Sequence, residues 1–209
     1  LAELCASAEL EPFTCNAFPH GEFHGPGLKQ RVFEPSWKQR ERLEFTLDVA
    51  RVAVALRAAR GAARPDEHLS ISTHSGMFAA ALAPGDRELL ADGFVRAASA
   101  LAELERESGE RVVLALEPEP RSSANDTHEL AEFLALVRQR ARGAEGAVRR
   151  HLGACLDACH AAVEFEVPQE ALERATAAGA PLGKLQFSSA LKLRPPHGIP
   201  ALLALDEPV

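Results

Sequence analysis

Apolar and polar positions follow two rhythms along this chain. "PFTCNAF" (12–18), "HLSIST" (68–73), "RVVLALE" (111–117), "HLGACLD" (151–157) and "GKLQFSS" (183–189) are short apolar runs bounded by polar residues, Gly or Pro. Such runs predict strands buried on both faces, as in a parallel sheet. Between them the apolar residues fall at helical spacing. Ser36 with Gln39 forms a capping box before "WKQRERLEFTLDVARVAVALRAARG", along which Leu43, Leu47, Ala50 and Val54 share a face. From Pro84 to Ser108 the stripe is Leu90, Phe94, Ala97, Leu101 and Leu104, and Gly109 can end the helix. Asp126 with Glu129 opens a third helix carrying Leu130, Leu134 and Val137. Pro168 suits the first turn of a fourth, which Gly179 would stop.

Strand starts thus recur roughly every 40 residues in a strict β-α alternation. That alternation implies parallel strands joined by right-handed crossovers. It fits an open doubly wound sheet or a (β/α)8 TIM barrel. No Gly-rich phosphate fingerprint follows the first strand, which weakens the dinucleotide-binding version of the open sheet. A full barrel needs about 250 residues. Five strands over residues 1–209 therefore predict one barrel domain with elements missing at its ends. A chain that begins at Leu1 and stops at "ALDEPV" reads as part of a longer protein, whose cut sheet would leave apolar strand edges exposed.

Composition narrows the function classes. Hydrophobic residues are 46% and charged residues 25%, ordinary for a globular protein, and no apolar run approaches the roughly 20 residues of a membrane span. A net charge of −7 argues against nucleic acid as a partner. Four cysteines without CxxC spacing fit a reducing cytoplasm.

Candidate chemistry gathers where strands end, which is where a barrel keeps its site. The first strand leads into Asn16, His20, Glu22 and His24, and the second into His74. The third ends at Glu117 and the fourth at Asp157, with His160 three residues on. Imidazoles and carboxylates from separate strand ends can converge on one divalent cation such as zinc or manganese. Each residue also has a plain role. Asp157 suits a helix N-cap, Cys155 and Cys159 suit packing, and Ser188, Ser189 and the "KQR" at 29–31 suit solvent.

"CLDACHAAVEFE" resembles the Asp-x-x-His metal segment of the xylose isomerase-like TIM barrels, a superfamily that includes endonuclease IV and many sugar isomerases and epimerases. "LALEPEP" looks like their Glu-bearing strand, and "ISTHSG" like the histidine strand of the endonuclease IV branch. The start "TCNAFPHGE" is similar to the EboE-type metabolite traffic proteins of bacterial operons. The resemblance runs from about Phe13 to Ser189. It implies a divalent cation, Mn or Zn, at His20, His74, Glu117, Asp157 and His160, with Glu117 and His160 catalytic. Asn16, Glu22, Gln186 and Ser188, at or just after strand ends, are the expected substrate contacts. Gln186 stands where these families carry a metal-binding histidine. The implied activity is isomerisation or epimerisation of a small polyhydroxylated or carbonyl metabolite. The alternatives are metabolite handling without catalysis and phosphodiester cleavage of the endonuclease IV kind.

Overall fold

The computed structural model describes residues 1–21, 31–59, 67–193 and 198–204. Glu22, His24 and most of the "KQR" stretch lie outside them. Five strands, β1 (Thr14–Asn16), β2 (Leu69–His74), β3 (Val112–Glu117), β4 (Leu152–Asp157) and β5 (Leu182–Gln186), form one sheet in chain order. Every neighbouring pair is parallel. A doubly wound sheet would reverse its order around the first strand; this one does not. Eight helices accompany the strands among the described residues: α1 (Ala2–Ser7), α2 (Arg40–Ala58), α3 (Asp86–Ser108), α4 (Thr127–Arg140), α5 (Glu145–His151), α6 (Ala158–Val163), α7 (Pro168–Ala175) and α8 (Ile199–Leu203).

The sheet curls into a half-barrel. The ammonium of Lys184, on β5, donates to Ser72 Oγ on β2 at 3.0 Å and to the Cys15 carbonyl on β1 at 3.3 Å. In a flat sheet β5 and β2 would lie about 14 Å apart, three spacings of about 4.8 Å, beyond the reach of one lysine. The concave face is therefore narrow, and it is lined by small residues. A Cβ on Gly183 would meet Val113 Cγ1 at 2.9 Å and Ala115 Cβ at 3.0 Å.

The two faces of the sheet differ in chemistry. Leu69, Ile71, Leu114, Leu116, Leu152 and Ala154 point outward into one core shared with the helices. Ser70, Ser72, Cys155, Lys184 and Gln186 meet partners across the concave side. β2, β3 and β4 are buried along their whole length, as their apolar runs predict, but apart from Val113 the inner half of each is small or polar. The expectation of two apolar faces is corrected accordingly: a curled sheet buries its concave side against itself, without an apolar layer.

The helices pack as the stripes predict, with adjustments at their ends. Leu90, Phe94, Ala97 and Leu101 of α3 are fully buried, and Gly109 ends that helix at φ 76°. Asp126 caps α4 by accepting from Glu129 N at 2.8 Å. α2 begins at Arg40 rather than Ser36. Trp37 is the reason: its indole donates to Thr73 Oγ1 at 3.2 Å and stacks on Phe94 with ring centres 4.3 Å apart, so it leaves the helix path to enter the core. Arg42, fully buried on α2, donates to the Pro35, Ala17 and Phe18 carbonyls. It ties the end of β1 to the helix. Burial pulls its pKa down to about 10, and nearby Glu34 opposes this. His151 closes α5 instead of opening β4, with Nδ1 donating to Val112 O at 2.8 Å. At and beyond β5, Leu185, Phe187 and Leu191 are exposed.

Replacing Gly183 with Val tests the tight concave face. The added methyls must displace Val113 or Ala115, and overpacking of this kind costs about 1–3 kcal/mol. A lower urea midpoint with an unchanged slope is expected. An unaltered midpoint would mean that the curl is looser than the contacts indicate.

Candidate functional site

Three adjacent strands end in the residues that build the site. β3 ends at Glu117, β4 at Asp157 and β5 at Gln186. Gln186 Nε2 donates to Glu117 Oε1 at 2.7 Å and to Asp157 Oδ2 at 3.0 Å. Carboxylate oxygens only accept when ionised, so one amide nitrogen bridges the two acids. Adjacent parallel strands lie about 4.8 Å apart, close enough for the two carboxyls to share this one amide.

Asp157 is also a helix cap. Its Oδ1 accepts from Cys159 N at 2.8 Å, His160 N at 3.2 Å and Ser188 Oγ at 2.6 Å. The short helix α6 that it caps carries His160. The His160 ring faces β3: Nδ1 lies 3.3 Å from both the Pro118 carbonyl and Glu117 Oε1. Both neighbours are acceptors, so Nδ1 holds the proton and Nε2 keeps the lone pair when the ring is neutral. Pro118 holds the chain extended beyond β3, which returns Glu119 to the side of Glu117.

Crowding separates the acids. Burial raises the Glu117 pKa, and the Asp157 charge adds to this against His160, Gln186 and Lys184. Burial also pushes Glu119 up to about 7; His160 opposes this, and Glu117 and Asp157 reinforce it. For Asp157 burial acts upward but is outweighed by the hydrogen bonds from Ser188 and Cys159 and by His160, so its pKa is lowered. Acids in one site with pKa values driven apart are suited to different proton-transfer roles.

The donor set fits a divalent cation. Ligand-type atoms of Glu117, Glu119 and His160 lie within 4.8 Å of one another, and so do those of Asp157, Cys159 and His160. Two such acids side by side would repel unless a donor or a cation sat between them, and Gln186 now supplies the donor.

The remaining expected residues sit apart from this cluster. His74 pairs in register with Glu117, but its ring is fully buried, edge-on to Phe18 and Phe33. Its Nδ1 accepts from Gly76 N at 3.2 Å. His20 lies edge-on to Phe45, and Asn16 Oδ1 accepts from Phe18 N. Among the described residues no hydrogen bond joins His20, His74 or Asn16 to the acids. Sequence reasoning missed Glu119, Lys184 and Cys159 as site residues. Glu119 was legible as the second acid of a Pro-spaced "EPEP", and Lys184 as two positions before Gln186 on one strand.

No protein-family model and no curated protein matches the chain. No helix among the described residues is long and apolar enough to cross a membrane.

His74 gives a pH prediction. Burial first, then the charge of Arg42, holds its pKa well below 6.5 in the folded chain. The unfolded state takes up the proton more readily. Stability from this group is therefore complete above about pH 6.5 and is lost as pH falls below it. His74→Asn keeps an acceptor for Gly76 N–H and should flatten the loss between about pH 7.5 and 5.5 in chemical denaturation. The same pH slope in both proteins would count against a neutral, buried His74.

Proposed function

We propose that this chain is part of a xylose isomerase-like (β/α)8 barrel that acts as a divalent-cation-dependent isomerase or epimerase on a small polyhydroxylated carbonyl metabolite. The observation that carries the reading is the meeting of Glu117, Asp157 and His160 at the C-terminal ends of consecutive parallel strands, on the polar side of a curled sheet. Barrel enzymes keep their chemistry at that end. Asp157 and His160 would hold the cation, Glu117 would fix the His160 ring, and Gln186 would turn its amide oxygen inward. A cation bound there supplies polarisation of a carbonyl and its neighbouring hydroxyl.

The side chains around it have separate work. Glu119, with its pKa near 7, is the group suited to remove a proton beside the carbonyl and to return it. His160 presents one ring nitrogen while Glu117 and Pro118 fix the other. Lys184 brings a positive charge to the concave face one pleat deeper than Gln186, where negative charge developing on a substrate oxygen would be steadied.

Gln186 also favours a second reading, a metabolite traffic protein that binds without reacting. A neutral amide already satisfies both acids. One experiment separates the two. The chain is incubated with a panel of aldoses and ketoses in deuterated water with zinc or manganese, and exchange beside the carbonyl is followed by NMR. The isomerase reading expects exchange that falls by about a hundredfold or more in Glu119→Gln. Sugar binding with no exchange points to the traffic protein. A chain that retains no metal after dialysis would remove the cation from the first reading.

A further inference from the structure

We infer that Cys159 is a metal ligand, so that the cation seat is a sulfur-, nitrogen- and oxygen-lined zinc site made of Asp157, Cys159 and His160. The inference rests on the cation-dependent reading above and deepens it by naming the metal and its ligands. Cys159 is a free, partly exposed cysteine between two residues whose placement is already fixed. Its backbone N–H donates to Asp157 Oδ1 at 2.8 Å and to Ser188 Oγ at 2.9 Å, which anchors the residue over the acid. The thiol sulfur, an Asp157 oxygen and a His160 nitrogen lie within 4.8 Å of one another. Zinc bonds of about 2.0–2.3 Å at tetrahedral angles separate ligand atoms by roughly 3–4 Å. Only a small contraction closes the triad.

Two further features match this use. Zinc-bound imidazoles donate their second N–H to a carboxylate or carbonyl, which fixes the ring. Here Nδ1 of His160 meets Glu117 Oε1 and the Pro118 carbonyl, leaving the Nε2 lone pair for the ion. Asp157 has one oxygen filled by three donors and a second that, among the described residues, accepts only from Gln186. That second oxygen becomes available when the amide turns. Three protein ligands leave a fourth position for water or a substrate oxygen, the pattern of a catalytic rather than a structural zinc. A thiolate also sets the selectivity, since sulfur favours zinc over manganese or magnesium. On binding, the Cys159 S–H bond breaks, its electron pair forms the S–Zn bond and the proton leaves to solvent. Cys155 is not part of the triad. Its sulfur faces Glu117 Oε2 at 3.8 Å in a fully buried position one pleat deeper.

The test is cobalt substitution in the full chain. Cobalt bound per chain is measured by equilibrium dialysis, and the near-ultraviolet spectrum is recorded for wild type, Cys159→Ser and Cys155→Ser. One cobalt with thiolate-to-cobalt charge transfer, lost in Cys159→Ser and kept in Cys155→Ser, is expected. Zinc should abolish the band by displacement. Bound cobalt without charge transfer overturns the thiolate ligand and leaves the cation-dependent reading standing. No bound cobalt overturns the site and the cation together. Alkylation of the wild-type chain, read by peptide mass spectrometry, gives an answer independent of any variant. Zinc should protect Cys159, and equal labelling with and without zinc overturns the inference.

Discussion

The curl of the sheet is the constraint on which the rest depends. Lys184 can touch both β1 and β2 only because the concave side is narrow. A narrow interior demands small inner residues, and Gly183, Ala115, Ser72 and Gly153 answer that demand. It also bends the ends of β3, β4 and β5 toward one another. Residues that a flat sheet would set in a row then point into a common space. Outside, the same curvature presents a continuous apolar surface, and α2, α3 and α4 close over it. The polar interior and the apolar exterior are two consequences of one geometry.

Placing ionisable groups inside such a space has an electrostatic cost, which the site meets with hydrogen bonds. Asp157 is held ionised by donors from Ser188, Cys159 and His160. Glu117 and Glu119 have fewer donors, and burial carries their pKa values upward. The acids are thus unequal by construction. That inequality comes from Ser188 and from the α6 N-terminus, whose free N–H groups reach one carboxylate only.

Much of this was legible in the sequence, for reasons that can be traced. Helix stripes such as Leu90–Phe94–Ala97–Leu101 are set by local spacing, and they packed where expected. The parallel order followed from strict alternation. Asp157 was visible as a cap and as a ligand candidate, and it serves in the first role while lying beside Glu117. What was not legible depends on residues distant in sequence. Trp37 left the helix because Thr73 and Phe94 wait for it. His74 was read as facing the site because it ends a strand, yet Phe18 and Phe33 enclose it. The α5 turn before β4 is too short for periodicity to announce.

Asp157 shows how closely cap and site are joined. Its side chain starts α6, and α6 carries Cys159 and His160, so the carboxylate positions its own neighbours. A cation at this point would not meet loose ligands that must first be ordered. It would displace one amide, that of Gln186, from a set of side chains already fixed by backbone donors. The ordering entropy of the ligands is therefore met during folding, when α6 forms, and little of it falls on the binding step. The consequence is that changes at Asp157 act on the helix and on the site together. Changes at Gln186 act on the balance between amide and cation, because no backbone group depends on its side chain among the described residues.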